Sequence, residues 1–211
     1  MVKHVWFDLS DTLAVLRPDG AALHQQLLHE TYAAAVDRTL DDDLIEEFQA
    51  QRAKHHSNSG LFHALGHPTT FWADRVATLD ARQLYQPRPH VNVALQRIKT
   101  VVPISLFTNI RPDRILAAIG IERWWFTHIL DATTIAHPKP ALDGFREMVR
   151  LSQLPPTEIM YVGDSVEKDI RPAKSVGLVT CIVGSRSPEA DYSFTSVADI
   201  DTLFSFIPND H

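Results

Sequence analysis

The stretch VWFDLSDTL, residues 5–13, decides the fold class of this chain. Its first three residues are apolar and predict a short strand that is buried on both faces, as strands of parallel sheets are. Asp8 follows directly, so we expect it at the carboxyl end of that strand. In open α/β sheets, ligands bind in the crevice beyond the strand carboxyl ends. The stretch therefore predicts a carboxylate that a central strand delivers to a binding crevice.

The composition is that of a globular protein, with 45% hydrophobic and 22% charged residues. The 211 residues are enough for one or two domains with a core that needs no cross-links. A net charge of −6 without a Lys/Arg-rich run argues against nucleic-acid partners, and no apolar run has the roughly 18 residues of a membrane span. One cysteine, Cys181, and a strand that starts at once predict a cytoplasmic protein without signal peptide or internal disulfide.

The segment after the first strand is predicted to be helical as far as residue 85. Pro18-Asp19-Gly20 is a turn signal, so residues 14–20 should form a loop. Helices are then predicted at 21–38, from Asp41–Asp43 to about 56–60, and at 69–84. The proline-stiffened run 86–90 suits a hinge or linker. We therefore predict a separate helical domain at residues 15–88.

Beyond the linker, strands and helices alternate. Strands are predicted at 102–107, 126–130, 159–162, 178–183 and 192–194, and helices at 91–98, 111–119, 141–151, 166–176 and 197–206. Such alternation implies βαβ crossovers and a parallel sheet. The predicted fold class is thus α/β: a Rossmann-like parallel-sheet core, residues 1–14 and 89–211, interrupted by an inserted α-helical domain.

Two further polar motifs belong to this core. The run LFTN ends a predicted strand at Thr108 and Asn109, where a hydroxyl and free backbone N–H groups suit phosphoryl oxygens, although turns also favour these residues. Lys139 lies in the run AHPKP just before a predicted helix. A solvated lysine in a proline-rich turn is the simpler interpretation of that run taken alone.

The last motif is YVGDSVEKD, which ends an apolar strand on Asp164 and carries a second acid, Asp169, five residues later. With Asp8 across the crevice, these carboxylates would form an oxygen site of the kind that Mg²⁺ prefers. The alternative is that Asp164 caps the following helix.

With the four motifs in this order, the chain resembles the haloacid dehalogenase superfamily of aspartyl-nucleophile hydrolases, in the subfamily with a helical C1 cap inserted after the first strand. The resemblance implies that Asp8 attacks the substrate and forms a covalent acyl-type intermediate. It also implies an Mg²⁺ site at Asp8, Asp164 and the backbone carbonyl of Ser10, with Asp169 orienting metal-bound water or a neighbouring lysine.

The resemblance further implies that Thr108, the Asn109 backbone and Lys139 bind the phosphoryl oxygens, whose stabilisation carries most of such catalysis. The expected partner is a small phosphorylated metabolite, and a closing cap would exclude water and select it. No membrane or nucleic acid is expected, and the chain could act as a monomer or a dimer.

Ser10 departs from the family pattern, because phosphatases of the family usually carry a second aspartate there. That aspartate protonates the leaving group and then activates water, whereas a serine hydroxyl is not ionised near pH 7. General acid–base catalysis is typically worth about 10²–10⁴ in rate, so we expect a slow phosphatase or one whose aspartyl phosphate persists. The adjacent Asp11 is an alternative acid and base. Some sugar-phosphate phosphatases of the family carry glycine at this position.

Three alternatives to a phosphatase stay open. The 2-haloacid dehalogenases carry tyrosine in place of Ser10 and use no metal, but here Asp164 is kept in a form ready for one. Phosphonoacetaldehyde hydrolases carry alanine there and a Schiff-base lysine in the cap, where Lys54 is the only lysine. A catalytically impaired protein could bind a phosphorylated ligand without turning it over, although it would have little need for Asp8, Lys139 and Asp164 together.

Overall fold

The computed structural model describes residues 1–55 and 57–204. Within these residues the strands are β1 His4–Phe7, β2 Ala14–Leu16, β3 Tyr85–Pro87, β4 Ile104–Phe107, β5 Ile129–Leu130, β6 Ile159–Gly163, β7 Val179–Val183 and β8 Tyr192–Phe194. Six of them form one sheet in the order β5-β4-β1-β6-β7-β8, and every neighbouring pair is parallel. β2 and β3 form a separate two-stranded sheet. The α/β fold class with a parallel sheet is confirmed.

The α-helices of the described residues are α1 Pro18–Ala35, α2 Asp42–His55, α3 Asn58–Ala64, α4 Phe71–Val76, α5 Ala81–Leu84, α6 Val91–Ile98, α7 Asp113–Ala118, α8 Asp143–Ser152 and α9 Arg171–Ser175. Short 3-10 helices lie at Arg123–Trp125, Pro156–Glu158 and Val197–Leu203, and a π-helix lies at Val166–Ile170. None of these helices is both long and apolar enough to cross a membrane.

The chain divides into two compact units. One contains Met1–Val15 and the described residues from Gln86 onward, and the other contains Leu16–Tyr85. The second unit holds α1 to α5 and, within the described residues between 20 and 84, no strand, as the sequence predicts. Its core is an aromatic and aliphatic cluster that includes Tyr32, Phe48, Phe62 and Trp72.

The sheet unit owes its geometry to a buried β1 between two buried neighbours. All four residues of β1 are buried, as an almost wholly apolar strand covered on both faces should be. Trp6, Phe107, Phe145 and Tyr161 pack into one core cluster on the α8 side of the sheet. Because β1, β4, β5 and β6 are parallel, their carboxyl ends lie at the same edge of the sheet. The polar residues that follow these strands there are Asp8, Thr108, Asp131 and Asp164.

The predicted loop over residues 14–20 is wrong, because β2 occupies Ala14–Leu16 and α1 begins at Pro18. Proline suits the first turn of a helix, where its missing N–H breaks no bond. Gly20 is needed for a close contact rather than a turn, because a Cβ atom there would lie 2.4 Å from the carbonyl oxygen of Leu84. The Pro-Asp-Gly run is thus the start of a helix.

Other predicted helices are divided or shortened. The predicted helix 69–84 is two helices, α4 and α5, because the Asp80 carboxylate accepts a hydrogen bond from Arg82 N and starts a new one. The predicted helix 166–176 is a π-helix continued by α9. The predicted acidic start of α2 is confirmed, since Leu44 N donates to Asp41 Oδ1 at 2.8 Å. Residues 205 and 206 of the predicted last helix lie outside the described residues.

Candidate active site

Lys139 is the centre of the candidate site, and it is buried. Its Nζ atom donates to Asp8 Oδ1 at 2.7 Å, to Asp169 Oδ1 at 2.7 Å and to the hydroxyl of Tyr161 at 2.8 Å. Only 4% of the Lys139 side chain is exposed, so this is not a solvated lysine in a turn. The fold brings together groups that are 131 residues apart in the sequence.

A side-chain amide holds the backbone on which Lys139 sits. Asn109 Oδ1 accepts a hydrogen bond from Lys139 N at 2.7 Å, and Asn109 Nδ2 donates to Lys139 O at 3.0 Å. The preceding residue, Thr108, is buried, and its Oγ1 accepts a 3.4 Å bond from Ile110 N. The Asn109 side chain therefore orients the lysine segment, a role that the sequence did not reveal.

Asp169 reaches the site through the π-helix that follows β6. Asp169 N and Ile170 N both donate to Ser165 O, at 3.0 and 3.2 Å, which widens this turn. Asp169 Oδ2 accepts a 3.1 Å bond from Ser165 N, while Oδ1 faces Lys139. A Cβ atom on Gly163 would lie 2.5 Å from the Asp169 side chain. Only glycine at this position leaves room for the Asp169 carboxylate where it lies.

Asp164 does not cap the helix that follows it. Ser165 is the capping residue, since its hydroxyl accepts a 3.2 Å bond from Lys168 N. Carboxylate oxygens of Asp8, Asp164 and Asp169 lie within 4.8 Å of one another. The Asp164 carboxylate therefore belongs to this cluster and not to the helix cap.

The loop between β1 and β2 carries Ser10 and Asp11. Ser10 is half-buried and forms an isolated bridge with Ala14. Asp11 is exposed and has a φ of 58°, a left-handed conformation that aspartate tolerates better than most residues. Arg88 fixes this turn, because its Nε and Nη2 atoms donate to the Asp11 carbonyl oxygen at 3.0 and 2.6 Å.

The electrostatics of the site follow from burial and from an excess of carboxylates. Burial raises the pKa of Asp8 to about 7, against the opposing pull of the Lys139 ammonium. Burial, then the charges of Asp169 and Asp11, raises the pKa of Asp164 to about 6. Burial would lower the pKa of Lys139, but Asp8 and Asp169 raise it on balance, so this amine stays charged.

The donor set fits a hard divalent cation. Three carboxylates face one ammonium group, and oxygen ligands of this kind are those that Mg²⁺ prefers. Asp8 Oδ2 accepts a long 3.5 Å bond from Thr12 Oγ1, whereas both oxygens of Asp169 accept bonds of 3.1 Å or less from protein donors. The Asp8 carboxylate therefore has more capacity left to bind a cation than that of Asp169.

Tyr161 is the contact that sequence reasoning missed. It lies within the YVGD run, but a tyrosine in an apolar strand reads as a core residue. Its hydroxyl accepts from Lys139 and lies 3.1 Å from Asp169 Oδ1. Burial and the nearby carboxylates raise its pKa well above the ordinary range, so the phenol stays protonated. The available signal was its position, three residues before Asp164 on a strand next to β1.

The chain is similar in sequence to two curated proteins that are named as phosphatases. The chain is 26% identical over 204 residues to the glyceraldehyde 3-phosphate phosphatase of Methanopyrus kandleri, across 85% of this chain and 83% of that protein. It is 31% identical over 101 residues to the protein of the same name from Methanocaldococcus jannaschii, across 46% of this chain and 44% of that one. The second match thus spans less than half of either protein.

A solved structure bears on the fold, and a family model bears on the family. The crystal structure of a haloacid dehalogenase phosphatase from Thermococcus onnurineus superposes with a TM-score of 0.76. The match covers 97% of this chain and 98% of that one. Because the identity is 19%, the match shows a shared fold. A family model described as haloacid dehalogenase-like hydrolase matches residues 2–177. This chain therefore belongs to the haloacid dehalogenase-like hydrolase family.

Proposed function

We propose that this hydrolase is a Mg²⁺-dependent phosphatase of a small phosphorylated metabolite, with Asp8 as its nucleophile. The observation that carries the proposal is the buried Lys139 ammonium, which is bonded to both Asp8 and Asp169. A structural ion pair would need only one carboxylate, and the additional acids are costly to bury. An anionic nucleophile beside a fixed cation suits attack on a charged phosphoryl group.

In the proposed reaction, an Asp8 carboxylate oxygen attacks phosphorus as the P–O bond of the ester breaks. The departing oxygen takes a proton from water and leaves as the alcohol. Water then attacks the aspartyl phosphate and releases inorganic phosphate, so one difficult step becomes two easier ones. Lys139 and the hydroxyl of Thr108 stabilise the phosphoryl oxygens. Asp169 accepts a second hydrogen bond from the Lys139 ammonium and so helps to hold it beside Asp8.

A bound Mg²⁺ would neutralise the nucleophile and the phosphate charge together. We propose Asp8, Asp164 and the backbone carbonyl of Ser10 as the groups that hold it, with Asp169 acting through Lys139 or metal-bound water. The raised pKa values of Asp8 and Asp164 support this assignment, because a cation would favour their charged forms.

With Ser10 in place of the family's second aspartate, no carboxylic acid at this position can protonate the leaving group. We propose that turnover is slow for this reason. The Asp11 carboxylate is the nearest acid in the sequence, and its charge raises the pKa of Asp164. The left-handed turn and the Arg88 contacts fix the Asp11 backbone. Asp11 is therefore the first residue to test as a substitute acid and base.

The named relatives direct the choice of substrates. Two proteins similar to this chain are named glyceraldehyde 3-phosphate phosphatases, so we propose a small phosphorylated aldehyde or sugar as the substrate class. We also propose that the helical unit, Leu16–Tyr85, is the cap that selects among such substrates.

The test is phosphate release from a panel of small phosphomonoesters that includes glyceraldehyde 3-phosphate. Wild type, Asp8→Asn and Ser10→Asp are compared with Mg²⁺ and with EDTA. We expect slow release by wild type, none by Asp8→Asn or with EDTA, and an increase of about 10²-fold in Ser10→Asp. Asp11→Asn is the matched control, and it lowers the wild-type rate only if Asp11 replaces the missing acid.

An inert wild type would contradict the proposal if Ser10→Asp is inert as well. If both proteins nevertheless bind inorganic phosphate in a calorimeter, the chain binds phosphorylated ligands without hydrolysing them. Turnover that survives EDTA would instead reject the role of Mg²⁺. Borohydride added with phosphonoacetaldehyde should not trap Lys54, which is an exposed residue of α2; trapping would favour the Schiff-base alternative.

A further inference from the structure

The Tyr161 hydroxyl lies at the centre of the candidate site but has no part in the chemistry proposed above. Its oxygen is 2.8 Å from Lys139 Nζ and 3.1 Å from Asp169 Oδ1. The residue is fully buried, and buried phenols need a hydrogen-bond partner. The contact with Lys139 exceeds that need, because Asp169 alone would satisfy the phenol.

Donor and acceptor chemistry fixes the direction of these bonds. An ammonium group has three protons and no lone pair, so the Tyr161 oxygen accepts from Lys139. The phenol proton is then directed at Asp169 Oδ1, or at the Phe107 carbonyl oxygen 3.4 Å away. The three N–H bonds of Lys139 thus have three acceptors: Asp8, Asp169 and Tyr161.

The two side chains differ in stiffness. Lysine carries its charge on a flexible four-carbon chain, whereas the tyrosine ring has two torsions and is held by its neighbours. The Tyr161 ring packs edge-on against Phe145, with centroids 5.2 Å apart, and lies 6.3 Å from Phe107. The aromatic core thereby sets the position of the hydroxyl.

From this geometry we propose that Tyr161 is a positioning residue, which accepts the third N–H bond of Lys139 and holds the ammonium against Asp8. A phenol does this without adding a negative charge, so the charge of Lys139 is kept for the phosphoryl group. A third carboxylate in place of Tyr161 would neutralise the positive charge of Lys139. The inference rests on the proposed function for its effect on turnover, but not for its effect on Lys139 itself.

The first test is Tyr161→Phe, which keeps the packed ring and removes the oxygen. The assay uses Mg²⁺ and a phosphomonoester that wild type hydrolyses. Because a hydrogen bond to a charged group is lost, we expect kcat to fall about 10- to 100-fold. KM should change less than about threefold, because the substrate still meets the same groups. The matched control is Thr180→Val in β7, which removes a buried hydroxyl of the same unit that donates to Asp191 Oδ2 at 2.8 Å and takes no part in the site. Its kcat and KM should equal those of wild type.

The second test needs no turnover. The protein is labelled with ¹³Cε-lysine, and the Lys139 signal is assigned by its loss in Lys139→Met. A fixed ammonium gives two distinct Hε shifts in wild type and in Thr180→Val, and these should merge in Tyr161→Phe as the side chain gains freedom.

The outcomes separate this inference from the proposed function. Merged Hε shifts in a protein that hydrolyses none of the esters would support the positioning role and reject the phosphatase. Unchanged shifts in Tyr161→Phe would overturn the positioning role whatever the rates are. An equal loss of kcat in Thr180→Val would also overturn it, because the effect would then follow from general destabilisation.

Discussion

Two ionic clusters begin within one π-helix and differ in almost everything except their residue types. Asp169 turns inward and binds the ammonium of Lys139, where both side chains are almost fully buried. Glu167, two residues earlier, turns outward and pairs with Arg171, and 71% and 51% of these two side chains are exposed. Arg171 also binds Glu189 at 2.7 and 2.9 Å.

The difference teaches that geometry alone does not measure what an ion pair does. Water screens the outer cluster, so exposed pairs of good geometry contribute little to stability. The inner cluster is almost fully buried, so loss of one partner leaves another charge uncompensated and its members depend on one another. If the proposed function holds, burying these charges serves the chemistry of the site rather than the stability of the fold.

The largest effect is expected for Lys139→Met. The change leaves Asp8 and Asp169 buried without their cation, so the free energy of unfolding at pH 8 should fall by about 3–5 kcal/mol. Urea denaturation measures this, and activity should vanish. Adding Asp169→Asn removes one of the stranded charges and should recover part of the stability but none of the activity. A single variant as stable as wild type would show that the inner charges are not interdependent.

A buried but uncharged group should respond to acid. His4 bonds to Ser105 Oγ at 2.8 Å, and burial, then the charge of His128, lowers its pKa from 6.5 to about 4. The unfolded chain therefore binds a proton between pH 6.5 and 4 that the folded protein does not. The contribution of His4 to the unfolding free energy should fall by up to about 3 kcal/mol as the pH drops through this range, and stay constant above it.

The effect of His4 can be isolated with His4→Gln, which cannot titrate. The raised pKa values of Asp8 and Asp164 have the opposite sign, because the folded protein then binds more protons, so wild type alone mixes these contributions. Urea titrations of both proteins from pH 8 to 4 give the difference. Parallel curves would mean that folded His4 takes up its proton as readily as the unfolded chain.

Gly163→Ala should disturb the inner cluster without removing a charge. Its Cβ atom would lie 2.5 Å from Asp169 Cγ, so we expect a loss of about 1–3 kcal/mol in stability and about 10²-fold in kcat. The control is Gly177→Ala, which is strained by a φ of 83° and whose Cβ atom would lie 3.4 Å from Pro156 Cβ, outside the site. Thermal unfolding and steady-state kinetics compare the two. A similar kcat per folded molecule in both would show that the position of Asp169 has no special importance.

The strands were more predictable than the helices. β1, β6 and β7 follow from apolar runs, and their polar ends at Asp8 and Asp164 were visible in the sequence. Helix starts were less certain, because Pro18-Asp19-Gly20 favours a turn and a first helical turn alike. Only the contact of Gly20 with Leu84 decides between them, and it joins residues far apart in the chain.

The site was predictable in its residue types but not in its connections. Motif resemblance named Asp8, Lys139 and Asp169, and their catalytic roles stay predictions. No local pattern shows that the three meet at one ammonium, since the contacts span 30 to 131 residues. Tyr161 was hidden for the same reason, because its contacts are set by how β6 lies beside β1.

The smallest effect is expected for Arg171→Met, the outer counterpart of Lys139→Met. The change breaks the pairs with Glu167 and Glu189, yet all three side chains are well exposed and water replaces the lost contacts. Urea denaturation should show at most about a fifth of the loss caused by Lys139→Met, and salt should reduce it further. kcat should stay within about twofold of wild type, because this cluster faces away from Asp169. A loss as large as that of Lys139→Met would mean that the outer pairs hold the π-helix, and with it Asp169, in place.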